Sequence, residues 1–178
     1  MRRYIIGIVL GLLTLVLFLP VLLKGMVPLP VDYMLAWYEP WKTEYSVNGV
    51  PAIPHKPVVD DAFRHLYPLR VVASRMMRDG VVPLWNPYNA AGTPLLAIMH
   101  PGYFTPFGIF FLFLPPALAW TLYVMIQPIV LGLATYWYAR KLSMSRMSSV
   151  FVSITLLLSG FSIVRIEYGE FLYVLAGL

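Results

Sequence analysis

Residues 60–106 read DDAFRHLYPLRVVASRMMRDGVVPLWNPYNAAGTPLLAIMHPGYFTP, and the rest of the chain is organised around this segment. It contains three of the eight acidic residues and two of the three histidines, together with many Trp, Asn, Tyr, Gly and Pro residues. Long apolar runs with few charges lie on both sides of it. We therefore expect membrane helices to hold this segment at a bilayer surface, where the chemistry of the protein takes place.

The composition indicates an integral membrane protein. The chain is 60% hydrophobic and 12% charged, whereas soluble domains have roughly 45–50% apolar and about 25% charged residues. It has no cysteine, which excludes disulfides and thiolate metal sites. The net charge of +5 comes from short basic clusters at the ends of apolar segments. A nucleic-acid-binding protein would collect that charge on one polar face, so this class is excluded.

Three apolar segments are predicted to cross the bilayer, at residues 4–23, 117–138 and 148–164. The first has 20 residues and spans about 30 Å as a helix. It lacks a small-residue cleavage site, so we interpret it as an uncleaved helix and not as a signal peptide. Pro20 and Pro128 are expected to kink the first and second crossings. Residues 107–114 are too short to cross and are predicted to lie at the interface.

The basic residues predict the orientation of these crossings. They cluster before the first crossing and between the second and third, at Arg2, Arg3, Arg140, Lys141 and Arg146. Cytoplasmic loops carry such an excess, so the N-terminus is predicted to be cytoplasmic and residues 24–105 to lie outside a cell membrane. Residues 171–178 begin a further apolar stretch, which suggests that the chain is a piece of a longer protein.

The predicted fold class is therefore an all-α integral membrane protein with about three transmembrane helices and the start of a fourth. Residues 1–23 form the first helix, residues 24–105 an outer loop that carries the site, and residues 106–178 the interfacial segment and the further helices. Within the loop, a short helix is expected near residues 33–38. Apolar residues at helical spacing predict an amphipathic helix over residues 61–79, and Pro68 is expected to kink or break its first half. Residues 81–106 are rich in Pro and Gly and are expected to be irregular.

Several motifs of the loop resemble the YfhO-type bacterial membrane proteins, which are similar to glycosyltransferases of the GT-C architecture. They are DAFRHLYPLR at residues 61–70, PLWNPYNAAGTPLLA at residues 83–97 and YFTP ending at Pro106. The YARKLSMSR turn and LSGF at residues 158–161 also resemble the family, so the likeness covers most of residues 58–165. The chain departs from the pattern where the family has Gln, Asn and Gln, at His65, Ile98 and His100.

The resemblance implies transfer of a sugar from a polyprenyl-phosphate donor to a cell-envelope acceptor at the outer face. In such enzymes an acidic residue of the first outer loop acts on the acceptor hydroxyl, which makes Asp61 the first candidate base and Asp32 the second. The candidate contacts to the sugar or its phosphate are polar, cationic or aromatic, and comprise Arg64, His65, Arg70, Trp85, Asn86, His100 and Arg165.

Each candidate also has a structural interpretation. Asp61 would cap the helix, and Asp60 would be a solvated neighbour. Arg64, with Arg75 and Arg78, would form a wet helix face, while Trp85 would anchor at the interface. Asn86 would shape a turn.

Two further pairs of residues have structural interpretations of the same kind. Arg165 would pair with Glu167 near the end of the third crossing. His65 and His100 would be hydrogen-bonded structural residues with no evident third ligand. The sequence requires no cofactor, and a divalent metal is possible without a donor set to support it.

A second function class stays open at this level. The chain would then be a non-catalytic polytopic protein that takes part in transport or flipping of lipid-linked glycans. The acid-bearing loop favours the enzyme. The second and third predicted crossings contain no charge, which argues against a proton-coupled transporter. The expected partners in both cases are the lipid bilayer and a polyprenyl-phosphate-linked sugar, with an envelope glycan or polymer as acceptor for the enzyme.

Overall fold

The computed structural model describes residues 5–50, 53–54, 60–98 and 105–168, which are mostly helical. The chain divides into two compact units. One contains Met1–Pro28 and Pro106–Leu178, and we call it the long-helix unit. The other is Leu29–Thr105, the intervening unit. The predicted start of a fourth crossing, at residues 171–178, lies outside the described residues.

Two helices of the long-helix unit are long and apolar enough to cross a membrane, α1 (Ile5–Leu23) and α7 (Pro116–Lys141). Pro20 and Pro128 lie inside them without ending either helix. Gly25 ends α1 through its positive φ of 61°, and its N–H donates to the Leu22 carbonyl. The first two predicted crossings are therefore confirmed as long apolar helices. Their passage through a bilayer and its direction remain predictions.

The third predicted crossing is not one continuous helix. It consists of α8 (Arg146–Leu157) and α9 (Gly160–Tyr168), whose axes differ by 52°. The break falls at Ser159, whose hydroxyl donates to the Leu156 carbonyl and accepts from the Ser162 N–H. Serine competes for backbone groups in this way, and Gly160 adds low helix propensity, so the helix restarts here in a new direction. The pair serves as a third crossing only as a bent one.

Helix α7 packs against both α1 and α8. The buried stripe of α1 has one residue per turn and comprises Ile6, Leu10, Thr14 and Phe18. Gly132 lets Leu10 approach the α7 backbone, because a Cβ at Gly132 would lie 2.7 Å from a Leu10 methyl group. On the other side, the Ser153 hydroxyl donates to the Gly132 carbonyl at 2.6 Å. Close approach on two sides makes Gly132 the centre of this helix packing.

The segment predicted to lie at the interface packs on α7. It forms a 3-10 turn (Pro106–Ile109) followed by α6 (Phe110–Phe113), and both contact α7. Phe111 is buried, with its ring edge-on to Tyr123 at a centroid distance of 6.3 Å. At the far end of α1, the Trp120 indole N–H donates to the Pro28 carbonyl at 3.0 Å.

The intervening unit consists of short elements around one longer helix. They are α2 (Tyr33–Trp37), α3 (Trp41–Glu44), a π-helical turn (Ala62–Leu66), α4 (Tyr67–Arg78), the strands β1 (Trp85–Asn86) and β2 (Thr93–Pro94), and α5 (Leu95–Ile98). The core contains Leu69, Ala73 and Leu95, so α4 buries its apolar face against α5. The predicted amphipathic helix and the short helix near residue 33 are confirmed. The hairpin of β1 and β2 is a departure from the all-α prediction.

Candidate functional site

The predicted base lies at the start of a widened helical turn. In residues Ala62–Leu66 the helix has π geometry, and the Tyr67 N–H donates to the Ala62 carbonyl five residues back. Pro68 explains the widening, because it has no N–H for the Arg64 carbonyl and its ring would clash with an α-helical turn there. Pro68 therefore reshapes the helix without breaking it. Single π turns inside helices are frequent at functional sites.

Arg64 makes an ion pair with Asp60, one turn before it. Arg64 Nη1 lies 2.6 Å from Asp60 Oδ2. This hydrogen bond is the main cause that raises the pKa of Arg64 above its usual value, and Tyr38 adds to the rise. Asp60 is therefore the partner of Arg64 and not the solvated neighbour that the sequence predicts. The i,i+4 spacing of these two residues was the signal for the pair.

Asp61 is the acid that this pair leaves available. It occupies the cap position of the π turn with helical backbone angles, and its side chain makes no capping hydrogen bond. Asp61 is exposed to solvent. The predicted capping role is therefore absent from this structure. An exposed carboxylate next to a fixed ion pair is able to accept a proton from a molecule that binds there.

The second candidate base, Asp32, directly precedes helix α2, and an aromatic cluster packs this helix against the π turn. The Tyr33 ring lies 5.7 Å from the Phe63 ring and 6.1 Å from the Trp37 ring, centroid to centroid. Tyr38 meets Phe63 edge-on at 6.5 Å. Asp32 precedes Tyr33, and Phe63 lies two residues after Asp61. The cluster thus packs α2 against the π turn that carries the predicted base. Sequence reasoning missed the contacts of Phe63 because they join it to residues 30 and 25 positions earlier, Tyr33 and Tyr38.

Arg70 belongs to the interior of the intervening unit. It is 5% exposed and lies on the buried face of α4 with Leu69, Ala73 and Ser74. A buried guanidinium is costly unless other groups of the protein engage it. Arg70 is therefore part of the packed face of α4 and not of an exposed contact surface. His65 is half-buried in the π turn, whereas Arg75 and Arg78 are exposed, as their wet-face interpretation predicts.

The PLWNPY motif forms a compact hairpin. Trp85 pairs with Pro94, and Asn86 pairs with Thr93. The Asn86 side chain is 1% exposed, and its Oδ1 accepts a hydrogen bond from the Tyr88 N–H at 3.0 Å. This is the turn-forming role expected of Asn86.

The Trp85 indole lies directly over Gly92, where a Cβ would be 2.4 Å from Trp85 Nε1. Gly92 has a φ of 114°, which also favours glycine. Trp85 nevertheless remains 52% exposed. A fixed indole with half of its surface accessible is available to stack on a sugar ring or to meet a lipid headgroup.

The remaining predicted contacts lie elsewhere. Arg165 belongs to α9 of the long-helix unit, with its guanidinium carbon 5.7 Å from the centroid of the Phe161 ring. His100 and the side chain of Glu167 lie outside the described residues, so the predicted Arg165–Glu167 pair does as well. Among the described residues, no group of three or more His, Asp or Glu side chains is arranged to hold a metal ion.

No family model, curated protein or solved structure matches this chain. The resemblance to the YfhO-type proteins, and every role derived from it, therefore remains a prediction. What the structure itself brings together is Asp60, Asp61, Arg64 and His65 in and around one π turn, with the aromatic cluster packed on it.

Proposed function

We propose that this chain forms part of a membrane glycosyltransferase that moves a sugar from a polyprenyl-phosphate donor to a cell-envelope acceptor at the outer face. The observation that supports this proposal most is the state of Asp61. Its carboxylate is exposed, makes no capping hydrogen bond and follows an acid that is already ion-paired. A helix cap or a structural ion pair would account for a carboxylate at this position, and Asp61 forms neither among the described residues.

The proposed step has a simple balance. The acceptor oxygen forms a bond to the anomeric carbon while the bond between that carbon and the phosphate oxygen breaks. Asp61 takes the proton of the acceptor hydroxyl, and polyprenyl phosphate leaves with the bonding electron pair. General-base catalysis of this kind contributes roughly 10²–10⁴-fold to the rate.

Other side chains of the intervening unit have defined roles in this proposal. Arg64 donates one N–H of its guanidinium to Asp60. The other N–H groups of the Arg64 guanidinium remain available to phosphate or sugar oxygens. Trp85 offers a half-exposed indole to a sugar ring, and this indole packs over the backbone of Gly92. Arg70 is buried, so in this proposal it supports the packed face of α4 and does not touch the donor.

The test measures transfer of radiolabelled sugar from a polyprenyl-phosphate donor in membranes that contain the full chain. Asp61→Asn preserves the size of the side chain and removes its basicity, so transfer is expected to fall by about 100-fold or more. Asp79→Asn is the matched control, because Asp79 is an exposed acid at the other end of α4. It should leave transfer unchanged at equal amounts of protein in the membrane.

The same assay on Asp32→Asn separates the two candidate bases. Loss of transfer with Asp32→Asn and full transfer with Asp61→Asn would move the base to the start of α2. If wild-type membranes transfer no sugar but move lipid-linked glycan across the bilayer, the enzyme proposal is wrong and the transport class replaces it.

A further inference from the structure

The turn between α7 and α8 collects positive charge without a matching acid. Arg140 and Lys141 lie in the last turn of α7, and Arg146 is the first residue of α8. The side chains of Lys141 and Arg146 are exposed. The long-helix unit has no acid before Glu167, which follows Arg146 by 21 residues. The charge of this turn therefore has no acid near it in the sequence with which to form an ion pair.

Hydrogen bonds hold this turn in one shape. Ser143 has a positive φ of 62°, and the Met144 N–H donates to the Ala139 carbonyl, which ends α7. The Arg140 guanidinium donates to the Met144 carbonyl. The Ser145 side chain caps the start of α8. Arg140 is therefore engaged in closing the turn, while the two other cations are exposed on either side of it.

Exposed apolar and aromatic side chains lie close to this turn on both helices. We call them the collar, and they are Trp137, Tyr138, Met147 and Phe151. Tyr138 precedes Lys141 by three residues, about 4.5 Å along α7, and Phe151 follows Arg146 by five residues, about 7.5 Å along α8. Helices α7 and α8 join at this turn and pack against each other. The molecule therefore presents charge at the turn and exposed aromatic rings about one helical turn away from it on both helices.

We propose that this turn and its collar bind the headgroups of anionic phospholipids. Lys141 and Arg146 donate to the phosphate oxygens of the headgroup, which accept charge-assisted hydrogen bonds. The aromatic rings of the collar lie at the level of the headgroups, where Trp and Tyr are favoured. The collar favours a lipid over a soluble anion, because exposed apolar surface beside the charges is covered by the apolar part of a lipid. Zwitterionic lipids carry a cation beside the phosphate, so the surface selects lipids with a net negative charge.

The test measures the lipid selectivity of the full chain in phosphatidylcholine bilayers that contain a trace of spin-labelled lipid. The spin-labelled lipid is phosphatidylglycerol in one sample and phosphatidylcholine in the other, and electron paramagnetic resonance gives the fraction of each that the protein immobilises. The wild type should immobilise severalfold more phosphatidylglycerol than phosphatidylcholine. The preference should shrink in about 1 M salt, where the Debye length is about 3 Å. Equal immobilisation of the two lipids by the wild type would overturn the proposal.

Substitutions at the two exposed cations test whether this turn causes the preference. Lys141→Gln and Arg146→Gln each remove a charge and keep a long polar side chain, so each should lower the preference, and the double variant should lose most of it. Lys24→Gln is the matched control, because Lys24 is an exposed basic residue that directly follows α1. It should keep the preference of the wild type. Wild-type selectivity in the double variant, or an equal loss in Lys24→Gln, would assign the preference to other residues and contradict the proposal.

A second measurement separates a lipid headgroup from free phosphate. The unfolding temperature of the full chain in a neutral detergent is followed as phosphatidylglycerol, phosphatidylcholine or inorganic phosphate is added, because a ligand that binds the folded chain raises this temperature. Phosphatidylglycerol should raise it in the wild type and much less in the double variant, and the other two additives should have small effects in both. Equal stabilisation by inorganic phosphate would indicate a site for a soluble anion and sink the lipid proposal. Neither measurement uses sugar transfer, so the outcome is independent of the proposed enzyme function.

Discussion

At the scale of single residues, the adjacent acids Asp60 and Asp61 have different environments, because one is ion-paired and the other is exposed. Both are close enough to Arg64 on a helix to pair with it, at i,i+4 and i,i+3. The structure pairs Asp60 with Arg64 and leaves Asp61 exposed. Sequence spacing alone does not decide between the two acids, because both spacings allow an ion pair on a helix.

Tyr67, at the start of α4, predicts a pH dependence of stability. Burial raises the pKa of Tyr67 above its usual value, and the nearby charge of Arg75 offsets part of the rise. A group with a raised folded-state pKa contributes stability that is complete below its unfolded-state pKa and is lost as the pH rises through the folded-state value. The unfolded value for tyrosine is about 10. We therefore expect the unfolding free energy to fall more steeply above about pH 10 in the wild type than in Tyr67→Phe.

Chemical unfolding curves between about pH 8 and 11 measure this difference. Tyr88→Phe is the control, because Tyr88 is 78% exposed and its substitution should leave the pH dependence as in the wild type. Identical pH profiles of the wild type and Tyr67→Phe would show that Tyr67 ionises equally well in the folded and unfolded chains.

At the scale of elements, the hairpin of β1 and β2 depends on the absence of a side chain at Gly92. A Cβ there would overlap the Trp85 indole, and the φ of 114° is unfavourable for other residues. We expect Gly92→Ala to destabilise the intervening unit by about 1–3 kcal/mol or more, since backbone strain alone costs that much. Trp85 should become more exposed, which tryptophan fluorescence and denaturant unfolding measure.

Gly80→Ala separates the cost of a positive φ from the cost of a steric overlap with the Trp85 indole. Gly80 also has a positive φ, of 75°, but a Cβ there would have no atom within 4 Å. It should therefore cost less than Gly92→Ala and leave the Trp85 emission unchanged. Equal effects of the two substitutions would show that the indole does not press on Gly92.

Elements with a simple sequence signal were predictable, and those that depend on tertiary contacts were not. Length and apolarity predict α1 and α7, and apolar spacing predicts α4. The hairpin escaped prediction because its turn places Ala90 and Ala91 at positive φ, where Gly, Asn or Asp are the usual signals. The break between α8 and α9 escaped because the weak Ser159-Gly160 signal lies within a run that is apolar enough to cross.

At the scale of the whole molecule, the candidate site and the unsatisfied buried polar side chains belong to different units. The intervening unit carries the exposed acid Asp61, and the long-helix unit carries the buried polar side chains of Thr14 and Gln127. Sequence reasoning located the first, because charged residues are rare in this chain. It did not find the second, since Thr14 and Gln127 are single polar residues within apolar runs.

Sugar transfer by the intervening unit at the outer face requires that α7 crosses the membrane, with residues 24–105 outside and residues 142–145 inside. The chain has no cysteine, so single cysteines can be introduced without background. Val81→Cys and Leu142→Cys are suitable, because Val81 is 52% exposed in the intervening unit and Leu142 is 58% exposed after α7. The measurement is the labelling of these cysteines in intact cells with a membrane-impermeant maleimide, with permeabilised cells as the control.

We expect Val81→Cys to be labelled in intact cells and Leu142→Cys to be labelled only after permeabilisation. Labelling of both cysteines from the outside, or of neither before permeabilisation, would place the two positions on one side of the membrane and contradict the crossing. Labelling of Leu142→Cys alone would place the acid-bearing unit in the cytoplasm and contradict transfer at the outer face.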